Sequence, residues 1–306
     1  MFHPTQHTPS LDESDRFFQR FFGRETKMAE PALRAIVPPD SGYPVDYCAF
    51  TMIRDVLFDS VDPDRYVLGG VQAYPSVSAP VLRTTGWYVE GLGELFRELR
   101  ARGLAVIDTL GRPVETFQAE SAVAGGQPMY FTSPAETGVR YQFYAESPFF
   151  FDPRSQPGWT LPPVEPDCPF GLERCAWHTV LTARPERVLP LFVEVLGGTI
   201  IDRGRNEALG ATSTFVSLAD GVFEFAVPDA GTPAFAALDA QAPHDCYYAL
   251  TWKVADLDRA ARHLEAIGAG CLARTADTIV CDPAGGFGIP WGFTTAQRPG
   301  DPRAAA

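Results

Sequence analysis

FVEVLGGTII (residues 192–201) carries an apolar helical pattern, Leu191, Phe192, Val195 and Leu196, into Gly197-Gly198 and leaves as the β-branched run Thr199-Ile200-Ile201. FFQRFFGRET (residues 17–26) repeats the plan: a Phe-rich helix, a glycine at its end and an extended exit. The two glycines are 174 residues apart (197 − 23). Glycine stops a helix because it enters left-handed backbone without a steric penalty. One helix-to-strand element built twice predicts a duplicated fold.

A second pair of segments agrees. WYVEGLGELFRELRARGLAVID (87–108) and WKVADLDRAARHLEAIGAGCLA (252–273) place Trp, Val, Leu and a helix-ending Gly in register at an offset of 165 (252 − 87). The later strands GVRYQF (138–143) and GIPWGF (288–293) also correspond. Self-similarity on this scale means repeated supersecondary units. Each unit reads as strand, helix, then several strands. Unit one opens with a strand from His3 to Thr8 and a helix capped by Ser10 or Asp12 that ends at Gly23. Unit three opens with WHTVLTA and a helix from about Pro185, a residue favoured in a first helical turn. FDSV and VFEFAV close units one and three.

Seven prolines between Ser147 and Arg174 make that stretch an extended connector, with Phe149, Phe150, Phe151 and Trp159 expected to pack it along one domain. The expected organisation is a domain over 1–147, a linker over 148–174, a second domain over 175–296 and a tail over 297–306. A β-α-β-β-β unit whose helix covers one sheet face leaves the other bare. Two units side by side therefore form a curved eight-stranded sheet with helices outside and a hollow inside, where ligand pockets are favoured. The fold class is α+β: four such modules paired into two half-barrels.

Composition bounds the function. The chain has 306 residues, enough for two cores, and a net charge of −13, which argues against nucleic acid or an anionic membrane as partner. No apolar run approaches the roughly 18 residues that span a bilayer. The opening MFHPTQHTPSLDESD has no basic and apolar signal pattern, so a cytoplasmic location is expected. Six cysteines without a C-x-x-C pair suit free thiols in a reducing compartment.

The chain resembles the vicinal oxygen chelate superfamily, which holds glyoxalase I, methylmalonyl-CoA epimerase, the extradiol ring-cleaving dioxygenases and the bleomycin-resistance proteins. The resemblance is carried by HPTQHTPSLDESDRFFQRFFG (3–23), VADLDRAARHL (254–264) and FTSPAETGVRYQFY (131–144). It implies a metal ligand on the first strand and another on the last strand of a module, of type His, Glu or Gln, for a Zn, Fe, Mn or Ni ion.

At those positions unit one offers His3 and Asp59, with His7 on the same strand face as His3. Unit two offers Thr84 or Thr85, and Gln142. Unit three offers Glu224 together with His178 if one residue is missing before Pro185; an ungapped count from Phe192 gives Trp177 instead. Unit four offers Ala249 (or Tyr248) and Gly292, which cannot ligate. Pairing of units one with two gathers His3, Asp59 and Gln142, and leaves His178 and Glu224 with each other. Pairing of two with three gathers Gln142, His178 and Glu224. Each residue also has a structural reading: His178 as a strand histidine satisfied by a neighbour, His263 as a solvent-facing helix residue. Glu224 and Asp59 lie among apolar neighbours, so each needs a metal, an Arg or a raised pKa.

What the resemblance implies for activity is metal-assisted lyase or isomerase chemistry through an enolate on an oxygenated small molecule, with Glu224 and His178 as catalytic candidates. Two alternatives stand beside it. One is a metal-free pocket, either a sequestering resistance protein or an acid–base enzyme. The other is an extradiol-type dioxygenase, disfavoured by the empty unit-four positions. The expected partner is a small-molecule substrate, and a homodimer is a candidate assembly.

Overall fold

The computed structural model describes residues 3–119, 128–145 and 152–305. The expected packing of Phe149, Phe150 and Phe151 lies outside these residues. The first module consists of β1 (His3–His7), α1 (Leu11–Phe22), β2 (Thr26–Met28), β3 (Cys48–Ile53) and β4 (Val56–Val61), with a short helix α2 (Glu30–Ile36) inserted before β3. A small ribbon of β5 (Val67–Leu68) and β6 (Val71–Gln72) follows. The second module is β7 (Val81–Val89), α3 (Leu92–Ala101), β8 (Val106–Ile107), β9 (Met129–Thr132), α4 (Pro134–Thr137) and β10 (Arg140–Ala145).

The third module is β11 (Leu172–Leu181), α5 (Pro185–Pro190), β12 (Thr199–Asn206), β13 (Ala211–Leu218), β14 (Gly221–Pro228) and the short α6 (Pro233–Asp239). Here α5 continues as a π turn over Leu191–Val195. The fourth is β15 (Cys246–Val254), α7 (Leu257–Ala266), β16 (Cys271–Arg274), β17 (Thr278–Cys281) and β18 (Gly292–Thr294). Four β-α-β-β-β modules are therefore present, as the repeats predict.

They pair one with two and three with four. The first eight-stranded sheet has the order β2-β3-β4-β1-β7-β10-β9-β8 and the second β12-β13-β14-β11-β15-β18-β17-β16. In both, the two opening strands lie antiparallel at the centre, and each opening strand runs parallel to its own module's last strand. The chain forms two compact units: residues 1–19, 24–136 and 140–162, and residues 20–23, 137–139 and 163–306.

Local chemistry explains the elements. The Ser10 hydroxyl accepts a hydrogen bond from the Glu13 amide at 3.2 Å, so Ser10 is the cap of α1. Gly23 and Gly197 sit at φ +65° and +75°, the left-handed exit that links each helix to its strand. Leu92, Leu95, Phe96 and Leu99 of α3 are buried at a spacing of three and four, which turns one helix face onto the sheet. α7 is capped by Asp256, whose carboxylate accepts from the Arg259 amide at 2.9 Å, and buries Ala260 and Leu264.

Candidate functional site

The register decides which side chains face the hollow of each sheet. In the first sheet, Thr5 pairs with Asp59 across β1 and β4, His3 pairs with Gly86 across β1 and β7, and Gly86 pairs with Gln142 across β7 and β10. Side chains alternate along a strand, so His3, Thr5, Asp59, Thr84 and Gln142 share the inner face. All five line one cavity of about 50 Å³, together with Tyr43, Tyr47, Tyr66, Tyr74 and Tyr144. The pseudo-two-fold between β1 and β7 relates His3 to Thr84 and Asp59 to Gln142.

His3, Thr5 and Asp59 form a hydrogen-bonded chain. The His3 Nδ1 lies 2.9 Å from Thr5 Oγ1, and the Thr5 hydroxyl donates to Asp59 Oδ2 at 3.2 Å. Burial, reinforced by the Arg154 charge, lowers the His3 pKa to about 3, so its imidazole is neutral. Burial raises the Asp59 carboxyl to about 8 against the pull of the Thr5 hydrogen bond. The 3.8 Å approach of His3 Nδ1 to Asp59 Oδ2 is thus between two neutral groups at pH 7 and is not an ion pair. Among the described residues, Asp59 Oδ1 is buried and accepts no hydrogen bond.

Gln142 completes the group. Its Nε2 donates to Tyr144 Oη and approaches Met129 Sδ. Its Oε1 turns toward Gly86, where a methyl group would meet Gln142 Oε1 at 3.4 Å and His3 Cε1 at 3.5 Å. His3 and Gln142 therefore converge on one small space that glycine leaves open.

The rest of the wall is phenolic. Tyr43 Oη lies 2.9 Å from Tyr47 Oη and 3.2 Å from Tyr66 Oη, and the Tyr47 and Tyr66 rings stack at 4.0 Å. Burial holds the Tyr43, Tyr47 and Tyr66 hydroxyls protonated, well above the ordinary phenol range. Tyr43 and Met129 also line a second, more open hollow of about 890 Å³ bounded by Leu68, Thr109 and Pro113. These tyrosines come from the segments after α2 and around the β5–β6 ribbon, which the module repeats do not contain. The sequence reading missed them, although the tyrosine-rich spacing Tyr43, Tyr47, Tyr66, Tyr74 was a signal.

His7, farther along β1, has both ring nitrogens buried without a hydrogen bond among the described residues and packs 4.6 Å from the Tyr74 ring. Burial, then Arg83 and Arg140, lowers its pKa to about 3.

The second sheet corrects part of the sequence expectation. Thr179 pairs with Glu224, as Thr5 pairs with Asp59, so Glu224 does face the hollow. His178 does not. It lies opposite Leu250, one residue out of phase, and its ring stacks on Phe223, which packs on Phe192 under the helix. The ungapped count was the right one: Trp177 holds the position of His3, and no residue is missing before Pro185. His178 is satisfied by Tyr247 Oη at 2.6 Å.

Glu224 is satisfied too. Its carboxyl accepts from Thr179 Oγ1 at 2.6 Å, Asn206 Nδ2 at 2.7 Å and Ser213 Oγ at 2.7 Å. The remaining positions of that face are Ala249 and Gly292. The grouping of Gln142 with His178 and Glu224 needed modules two and three to pair, and the sheet order excludes it. His263, expected in solvent, is half-buried and edge-on to Phe170.

Among the described residues, no cluster of three or more His, Cys, Asp or Glu side chains is placed to hold a metal. In the first sheet His3, Asp59 and Gln142 supply one neutral imidazole, one carboxyl with an unbonded oxygen and one amide oxygen. Their donor chemistry fits a divalent first-row ion.

No family model matches the chain, and no curated protein matches it. Solved structures do. The 2,2',3-trihydroxybiphenyl 1,2-dioxygenase from dibenzofuran-degrading Sphingomonas wittichii strain RW1 is 14% identical, with a TM-score of 0.58 over 99% of this chain and 93% of that one. The 2,3-dioxygenase LapB from Pseudomonas sp. KL28 is 13% identical, with a TM-score of 0.56 over 99% and 93%. BphC, a halotolerant catechol dioxygenase, is 14% identical, with a TM-score of 0.54 over 99% and 88%. At these identities the likeness establishes the fold alone, the paired β-α-β-β-β architecture that the sequence resemblance implies.

Proposed function

We propose that the cavity of the first sheet is the working site, and that it moves a proton on a small oxygenated molecule in lyase or isomerase chemistry assisted by a divalent metal. The supporting observation is the convergence of His3, Asp59 and Gln142 from three strands on the space above Gly86, with Asp59 Oδ1 left unbonded. His3, Asp59 and Gln142 would hold the ion. Bound there, a divalent metal supplies Lewis-acid stabilisation of negative charge that develops on a substrate oxygen.

The chain's own groups do the rest. Thr5 fixes the imidazole and the carboxyl relative to each other through its hydroxyl. The Tyr43–Tyr47–Tyr66 hydroxyls, kept protonated by burial, offer hydrogen bonds to substrate oxygens at the opposite wall. Phe50 and the tyrosine rings exclude water, which strengthens every electrostatic contact inside.

A second reading, acid–base chemistry without a metal, is favoured by one observation. A neutral His3 and a protonated Asp59, joined through Thr5, already form a base and an acid of opposed pKa shift. Ring-cleaving oxygenation using the second sheet is set aside, because Trp177, Ala249 and Gly292 carry no metal donor.

Elemental analysis of purified protein separates the two main readings. The metal reading expects near-stoichiometric Zn, Fe, Mn or Ni that is lost in His3→Ala and Asp59→Ala and kept in His178→Ala. Metal retained by all three variants would overturn the assignment. Turnover undiminished by a chelator would transfer support to acid–base chemistry.

A further inference from the structure

We propose that Cys271 and Cys281 form a cross-strand disulfide when the folded protein meets a peroxide. This modification site is independent of the cavity described above. The two residues are direct partners across β16 and β17, at the end of the ladder, where a bulge sets Cys271 apart from Ala273. The kind of pairing is set by the hydrogen bonds beside it: the Asp282 amide donates to Gly270 O at 2.8 Å, and the Cys281 amide donates to Trp291 O in the other direction, also at 2.8 Å. This is the non-hydrogen-bonded type of antiparallel pair, in which side chains are closest and Cα atoms lie about 4.5 Å apart. Disulfides accept Cα separations of roughly 4.4–6.8 Å. The backbone pairing therefore suits a bridge, and the two thiols, turned toward Ala273 O at 3.2 Å and Asp282 O at 3.3 Å, meet by rotation about their Cα–Cβ bonds.

Exposure orders the chemistry. Cys271 is exposed, whereas Cys48, Cys168, Cys175, Cys246 and Cys281 are buried. Burial, followed by the nearby Asp282 and Cys271, pushes the Cys281 thiol up to about 12, so Cys281 stays protonated and Cys271 reacts first. The Cys271 thiolate attacks one oxygen of hydrogen peroxide; an S–O bond forms, the O–O bond breaks and hydroxide leaves. The resulting sulfenic acid faces Cys281 across the ladder. Cys281 gives up its proton as its sulfur attacks the Cys271 sulfur, an S–S bond forms, and the S–O bond breaks to release water. Two thiols and one peroxide yield one disulfide and two waters. The closed loop ties the edge strand β16 to β17, and Cys271 is thereby shielded from deeper oxidation.

The test uses the intact chain, hydrogen peroxide and mass spectrometry. After brief oxidation, unfolding and alkylation, two fewer thiols should be labelled than in untreated protein. Digestion should yield one peptide pair that joins Cys271 to Cys281 and separates on reduction with dithiothreitol. Cys271→Ser should leave Cys281 fully alkylatable, and Cys281→Ser should leave Cys271 as a sulfenic or more highly oxidised acid. Sulfinic acid on Cys271 with Cys281 still free in the wild-type chain, or a covalent dimer through Cys271, would overturn the proposal. So would the loss of two thiols in Cys271→Ser.

Discussion

Trp177 in the second sheet stands where His3 stands in the first: Trp177 pairs with Thr251 and His3 pairs with Gly86, each two residues before a threonine that pairs with the module's carboxylate. The duplicated frame is thus kept while its polar content differs. One hollow carries His, Asp and Gln; the matching face carries Trp, Ala, Gly and a fully hydrogen-bonded Glu224.

The first expectation concerns that asymmetry. Replacing His3, Asp59 or Gln142 by Ala should lower turnover by about 10²–10⁴-fold, the scale of a positioned catalytic group. His178→Ala should change turnover by less than about threefold once stability is matched, because His178 lies on the helix-covered face. Steady-state kinetics at saturating metal reads both. A deficit at His178 as large as at His3 would contradict the placement.

Glu224 should matter for folding instead. Glu224→Ala removes the acceptor for three buried donors, Thr179, Asn206 and Ser213, and leaves a void. A loss of about 3 kcal/mol or more is expected in urea unfolding, with the cavity of the first sheet still intact by ligand or metal titration.

Gly86→Ala separates folding from binding. The added methyl would touch Gln142 Oε1, Tyr144 Cε2 and His3 Cε1 at 3.4–3.5 Å, an ordinary contact range. Stability should stay within about 1 kcal/mol of the parent, while metal occupancy or ligand binding falls at least about tenfold because the convergence space is filled. Unchanged occupancy would remove this space from the site.

The pH dependence of stability follows from the shifted groups in metal-free protein. His3, His7 and His178 are lowered to about 3 from 6.5 in the folded state, so the unfolded chain binds more protons between those values and stability rises with pH there. Asp59 is raised from 3.8 to about 8, so the folded chain binds more protons between those values and stability falls as pH rises. Three groups outweigh one below pH 6.5. Above it Asp59 acts alone, and stability should decline toward pH 8 by up to about 1.4 kcal/mol per pH unit. Urea midpoints across this range, with Asp59→Asn to flatten the upper limb, test the sign; a parent curve that climbs to pH 8 would refute it.

The fold was legible because its markers are local. Gly23 and Gly197 need no partner to end a helix, and the offset between them survives any loop change outside the interval. The site was less legible because it depends on strand phase. A shift of one residue exchanges inner and outer faces, so the choice between Trp177 and His178 turns on a single presumed gap before Pro185. Asp59 and Glu224 shared a pattern of apolar neighbours. Only the cross-strand partners, Thr5 alone for one and Thr179, Asn206 and Ser213 for the other, distinguish a carboxyl with a spare oxygen from a saturated one. Tyr43 and Tyr47 lay in an insertion, where module comparison has nothing to align.

Tyr43 has a consequence for kinetics. Because its ring borders both the small inner chamber and the open outer one, a molecule that passes between them must displace a phenol tied to Tyr47 and Tyr66. Residence time inside should therefore track how often that knot of hydroxyls loosens, so that Tyr43→Phe speeds both arrival and departure, departure the more because the lost hydroxyl no longer holds a substrate oxygen.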